Sequence, residues 1–122
     1  MAWDLKTDRP IYMQLMEQIK LYIVSGAYSP GERLPSVRDM AFDASVNPNT
    51  MQKALSELER DGLVFSQRTS GRFITEDKVM VEKVRNTLAL EQISEFLKKM
   101  EKLGYQKAEI IALMEHAVKE MN

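Results

Sequence analysis

The sequence predicts a mainly α chain with one small β-hairpin, followed by a helical hairpin. Three observations carry this reading. Apolar residues recur at helical spacing in three segments between residues 10 and 62. Two short β-prone runs, Leu63–Gln67 and Arg72–Thr75, then flank the turn-forming stretch Arg68-Thr69-Ser70-Gly71. Beyond Glu76-Asp77-Lys78 the pattern is wholly helical. The expected division is therefore 1–77 and 78–122.

The first helix is expected to open with Asp8 as N-cap and Pro10 in its first turn, where a missing N–H costs nothing. Ile11, Leu15, Ile19 and Ile23 form its apolar face, and Gly26 stops it. Ser29-Pro30-Gly31-Glu32 reads as a turn, and Arg33-Leu34-Pro35 as extended, because a residue before proline is pushed out of the helical region. Ser36 with Asp39 resembles a capping box and starts a short helix from Val37 to about Asp43. Ala44-Ser45-Val46 makes a tight turn. Asn47 caps the third helix, with Pro48 at its first position and Met51, Ala54, Leu55 and Leu58 as its core stripe. Gly62 ends it. Three helices and a hairpin, with the second and third helix joined by about three residues, give the order of a winged helix-turn-helix.

The C-terminal region carries Val81, Val84, Leu88, Ile93, Phe96, Leu97, Met100 and Leu103 on one helix, which Gly104 breaks. Gln106 and Glu109 cap a last helix bearing Ile110, Ile111, Leu113, Met114, Ala117, Val118 and Met121. An αα-hairpin this rich in apolar side chains cannot satisfy them alone, so it is expected to pack on the first domain, on a second copy, or on both.

Composition removes several function classes. There is no cysteine, hence no disulfide or thiolate metal site. His116 is the single histidine and builds no metal cluster by itself. No Gly-rich phosphate loop and no Ser/His/Asp set is present, so neither an enzyme nor a cofactor is expected. The N-terminus is polar, and no apolar run approaches the roughly 20 residues of a membrane span, so a cytoplasmic protein is expected. The nine methionines read as gap-filling core, Trp3 as a packing cap, and Glu57, Glu59 and Asp61 as a solvated helix end.

Charge bears on the partner. The chain has 17 Lys and Arg against 18 Asp and Glu, whereas a nucleic-acid binder often has a basic excess. Any positive footprint must be local. Residues 44–56 contain Lys53 and no acid, and residues 62–75 contain Arg68 and Arg72 and no acid. DNA contact in this architecture needs helix-start N–H groups for phosphates, small polar side chains at the start of the recognition helix for base edges, and a cation in the wing. The candidates are Arg33, Ser36, Val37 and Arg38 around the second helix; Asn47, Pro48, Asn49, Thr50, Gln52 and Lys53 on the third; and Arg68, Ser70, Gly71 and Arg72 in the hairpin. The partner that fits is double-stranded DNA.

Motif blocks then carry a family resemblance. Pro10-Ile11-Tyr12, Gln14-Leu15, Pro30-Gly31-Glu32-Arg33-Leu34-Pro35-Ser36-Val37-Arg38, Val46-Asn47-Pro48-Asn49-Thr50-Met51, Lys53-Ala54 and Leu58-Glu59-Arg60-Asp61-Gly62-Leu63-Val64 occur in order. Over about residues 9–75 they resemble the GntR family of bacterial regulators. The resemblance implies a homodimeric repressor on a palindromic operator. It also implies that Arg38 contacts phosphate or base, that Asn49, Thr50 and Lys53 make the recognition-helix contacts, and that the loop near Gly71 is the wing tip in the minor groove. The short C-terminal part resembles the YtrA-type subfamily, whose two C-terminal helices serve in dimerisation. The wing departs from the family pattern. Thr69 stands where a glycine is usual and Arg72 where a small residue is usual, and a β-branched Thr69 is not expected at positive φ. Two other readings are a winged helix that binds protein, favoured by the near-neutral charge, and a small-molecule effector site between the domains lined by Trp3, Phe96 and Tyr105.

Overall fold

The computed structural model describes residues 2–121. Its elements are α1 (Ile11–Val24), α2 (Val37–Ala44), α3 (Pro48–Arg60), β1 (Val64–Gln67), β2 (Gly71–Ile74), α4 (Lys78–Lys102) and α5 (Lys107–Glu120). The order is the winged helix-turn-helix followed by two helices, mainly α with one hairpin. No helix among the described residues is long and apolar enough to cross a membrane.

The chain forms two compact units, 1–85 and 86–122. The first extends past the junction at 77/78 expected from the sequence. Met80, Val81 and Val84, on the opening turns of α4, pack against the first core, so the start of that helix belongs to it.

The core of the first unit is built from the stripes read in the sequence. Leu15, Ile19 and Ile23 of α1 meet Met40, Ala41 and Ala44 of α2, the four stripe residues of α3, and Leu63, Val64 and Ile74 of the hairpin. α3 is the hub, contacting α1, α2 and β1. Its stripe is almost wholly buried and its opposite face is left to solvent.

The start of α1 differs from expectation. Pro10 is the N-cap, the helix begins at Ile11, and Asp8 makes no cap. Gln14 is the reason. Buried and polar, it turns its side chain back on the preceding segment: its amide donates to the carbonyls of Lys6 (2.8 Å) and Arg9 (2.9 Å), and its oxygen accepts the Lys6 N–H (2.7 Å). A buried amide must have its partners, and here they hold residues 6–9 in place of a helix turn.

The hairpin is a tight antiparallel pair, with Val64 opposite Ile74 and Gln67 opposite Gly71. Its loop is Arg68-Thr69-Ser70, closed by the Ser70 N–H on the Gln67 carbonyl at 3.1 Å. Gly71 follows at φ +104°, the arrangement of a three-residue hairpin loop in which the residue after the turn needs positive φ. Thr69 is spared that conformation, as expected. The segment before α2 joins the sheet edge. Arg33 bridges Phe73, the Leu34 N–H donates to Arg72 (2.8 Å), and the Ile74 N–H donates to Glu32 (2.9 Å).

The second unit comprises the rest of α4 with α5. Gly104 at φ +96° makes the break. The Gln106–Glu109 capping box forms, with the Gln106 N–H on Glu109 Oε1 at 2.9 Å. Among its described residues Ile110 alone is fully buried.

Candidate nucleic-acid interface

Two capped helix starts define the site. Ser36 Oγ accepts the Asp39 N–H at 3.1 Å and opens α2. The reciprocal half of the capping box is absent, consistent with aspartate being one methylene shorter than glutamate. Asn47 Oδ1 accepts the Asn49 N–H at 2.7 Å, and Pro48 occupies the first turn of α3. At α2 the Val37 and Arg38 N–H groups remain open, the arrangement that receives anions. At α3 Pro48 has no N–H, and the Asn49 and Thr50 N–H groups are taken by the Asn47 side chain and carbonyl, the latter at 3.0 Å.

The joint between the two helices is set by Ser45, at φ 57°, the only non-glycine residue at positive φ among the described residues. Its N–H reaches Phe42, and the Val46 N–H reaches Ala41 at 2.9 Å. This left-handed residue redirects the chain from α2 into α3. The sequence marked the turn but gave no sign that a serine would carry its strained position, since glycine or asparagine usually does.

On α3, Asn47, Pro48, Asn49, Gln52 and Lys53 are exposed and Thr50 is half-buried. Ser56 continues the exposed row, and Gln52 Nε2 lies 3.4 Å from its hydroxyl. Ser56 was missed by the sequence reading, although i, i+3, i+4, i+7 spacing from Asn49 would have found it.

The cations divide into two groups. Arg38 on α2 and Arg68 in the hairpin loop are exposed, and neither is in an ion pair among the described residues. Arg33 is also exposed and lies against Gly71, where an added Cβ would stand 3.3 Å from its Nε. Gly71 is thus constrained twice, by its φ and by this guanidinium. The other two cations have partners within the protein. Lys53 Nζ sits 3.9 Å from the centre of the Tyr12 ring, a cation–π contact. Arg72, read from the sequence as an added wing charge, turns its Nε onto Glu59 Oε1.

Glu59 also accepts the Ser66 hydroxyl, so one carboxylate of α3 ties both strands of the hairpin to the recognition helix. Burial pushes this carboxyl up, but the bonds from Ser66 and Arg72 and the charge of Arg72 outweigh it, leaving its pKa lowered. The solvated helix end expected at Glu57, Glu59 and Asp61 is instead ion-paired throughout. Glu57 meets Arg60 at 3.5 Å and Asp61 meets Lys20 at 3.8 Å. Arg60 pairs within the helix, while Lys20 and Arg72 reach this end from other elements.

A helix-turn-helix with an exposed polar row on its third helix, followed by a hairpin wing, defines a DNA-binding protein. The comparisons agree: residues 11–74 match the family of bacterial regulatory proteins described as gntR, and the chain belongs to that family. It is 41% identical over 106 residues to the uncharacterized HTH-type transcriptional regulator YhcF of Bacillus subtilis, covering 87% of this chain and 88% of that one. It is 37% identical to the HTH-type transcriptional repressor YtrA of the same organism, over 77% and 73% of the two chains. Among solved structures, a GntR family transcriptional regulator from Listeria monocytogenes superposes with a TM-score of 0.84 at 38% identity, covering 92% of this chain and 98% of that one. The DNA-binding domain of AraR, solved in complex with operator ORR3, superposes with a TM-score of 0.52 at 25% identity, over 62% and 93%. The chain is a DNA-binding transcription regulator, and its family is one of regulators and not of enzymes.

Proposed function

We propose that this protein is a cytoplasmic repressor that binds a palindromic operator as a homodimer, each N-terminal unit reading one half-site. The observation that carries the reading is the two-sided character of α3: a fully buried stripe fixes the helix, and the opposite face offers Asn49, Gln52 and Lys53. Asn and Gln suit adenine edges, and Lys suits guanine or phosphate. The N–H groups at Ser36 and Val37, together with Arg38, take phosphates. Asn47 and Pro48 start the helix, and Thr50 lies beside the base-reading row. Arg33, Arg68, Ser70 and Gly71 form the wing tip at the adjacent minor groove, while Arg72 holds the wing on α3. Residues 78–122 pair the two copies. Support comes from a neighbour solved on its operator and a relative named as a repressor. A two-fold site with half-sites ~34 Å apart is expected.

The test is a mobility-shift assay on DNA upstream of the protein's own gene, over a range of salt. Arg38→Ala should weaken binding to every sequence and reduce the salt slope by about 1. Asn49→Ala should also relax base preference. Equal losses on specific and random DNA for both variants, or no bound palindrome, would count against the reading.

A further inference from the structure

A second site lies in the N-terminal unit, in a cleft of about 520 Å³ lined by Trp3, Tyr22, Tyr28, Asp39, Met40 and Asp43 together with Ala27 and Pro35. Three aromatic rings and two carboxylates meet there, and no Lys, Arg or His is in the lining. Asp39 and Asp43 are one helical turn apart on α2, so both carboxylates fall on the same face and repel each other. Tyr28 and Met40 are buried at its base.

The aromatic wall is built. The Trp3 indole N–H donates to Asp43 Oδ2 at 2.9 Å, which seats the ring beside that carboxylate. The segment carrying Trp3 is pinned to α1: the Tyr22 hydroxyl donates to the Ala2 carbonyl at 2.6 Å, and Gln18 exchanges bonds of 2.6 and 3.2 Å with the backbone of Asp4. Tyr22 and Tyr28 meet edge to face, with centroids 6.0 Å apart at 67°. Burial, then the charges of Glu32, Tyr22 and Asp43, pushes the Tyr28 hydroxyl up to about 12, so this ring stays neutral.

This lining selects for one kind of guest. Aromatic faces attract cations, most strongly where water is excluded. Two carboxylates add Coulomb attraction and repel anions. The volume is that of a small-molecule site. A hard divalent ion needs about six oxygen ligands, and no group of three or more metal-binding side chains exists among the described residues. We propose that the cleft binds a small organic ammonium ion, its charged head toward Asp39 and Asp43 and its alkyl groups against Trp3, Tyr22 and Tyr28. This site is independent of the DNA-reading proposal.

Trp3 is the only tryptophan, so its fluorescence reports on the cleft directly. The full chain is titrated with choline and, in parallel, with its neutral carbon isostere, dimethylbutanol. A saturable change with choline, half-complete at or below about 1 mM, and none with the isostere, is expected. Asp43→Asn keeps an acceptor for the indole and removes the charge; binding should weaken at least about tenfold. Asp39→Asn, which leaves the Trp3–Asp43 bond untouched, should weaken it likewise and decides the matter if Asp43→Asn loosens the arm. Trp3→Phe should weaken it by calorimetry. A linear response, an equal response to the isostere, or undiminished binding in the Asp39→Asn, Asp43→Asn double variant overturns the proposal.

Discussion

The two units treat apolar sequence differently. In the first, the side chains that recur at helical spacing are the ones that vanish from solvent: Leu15, Ile19, Met51, Leu55 and Leu58 are all buried, and the hairpin closes over them with Leu63, Val64 and Ile74. In the second, equally regular spacing leaves the side chains outside. Leu103 is 72% exposed and Val118 65%, and Leu90, Ile93, Phe96, Ile111, Leu113 and Met114 are all exposed. Monomeric proteins rarely leave so continuous an apolar surface uncovered. The lesson is that periodicity marks which side chains seek burial, and only the neighbouring elements decide whether one chain supplies it. The first unit has three helices and a hairpin to enclose its stripes. The second has two helices, and in the proposed homodimer a second copy covers them.

The sharpest way to break this comparison is inside the first unit. Leu55→Ala removes a side chain that is 1% exposed at the meeting point of the helices. A buried Leu→Ala costs about 2–5 kcal/mol, a large share of the roughly 5–15 kcal/mol that holds a domain together. Denaturant melts followed by circular dichroism should show stability falling by about 2–5 kcal/mol, and operator binding should weaken wherever the unfolded fraction becomes appreciable. A cost below about 1 kcal/mol would mean that the core is not where the burial places it.

The matching change in the second unit should act on assembly instead. Ile111, Met114 and Val118 line one apolar groove on α5. Val118→Asp places a charge there without entering the first core. Sedimentation should show a dimer becoming a monomer, and operator affinity should fall by about 10²-fold or more as two linked half-site contacts become separate events. Amide exchange across α1, α2 and α3 should be unchanged. A variant that stays dimeric would move the pairing surface elsewhere.

The joint between α2 and α3 gives a smaller effect of opposite sign. Ser45 bears a left-handed conformation that costs an L-residue roughly 1–2 kcal/mol. Ser45→Gly relieves that cost, partly offset by glycine's freedom in the unfolded chain, so a net gain of about 0.5–1 kcal/mol is expected. Ser45→Val should destabilise, because a β-branched side chain resists positive φ. Thermal melts of the two variants distinguish this strain from an unstrained turn.

Much of this was legible in the sequence because it is local. The stripe of α3, the caps at Ser36 and Asn47, and the hairpin flanking Arg68 depend on neighbours a few residues away, and each forms. What escaped was set by which partner a side chain finds across elements or on the segment outside its own helix. Gln14 bonds back to Lys6 and Arg9 and moves the start of α1. Lys53 lies on Tyr12, from another helix. Arg72 looked like an added wing charge and is held by Glu59, from the end of α3. Side-chain chemistry announces what a residue can do, and tertiary packing selects which partner it finds first.

The Glu59–Arg72 contact yields the smallest and most local prediction. The pair is partly exposed, so Glu59→Gln should cost at most about 1 kcal/mol of global stability. Its effect belongs in the wing: amide exchange at residues 66–72 should quicken, with α1 and α2 unchanged. Acid should reproduce this in the parent protein. The folded pKa of Glu59 is lowered, so the unfolded chain binds its proton first as pH falls. The clamp's contribution is therefore fully present above the ordinary glutamate value of about 4.3, and is lost as pH drops below it through the folded value. Wing exchange corrected for intrinsic rates should rise over that window in the parent and stay flat in Glu59→Gln. A flat profile in both would show that α3 and the wing hold together without this carboxylate, and that Arg72 is freer to meet DNA than its pairing implies.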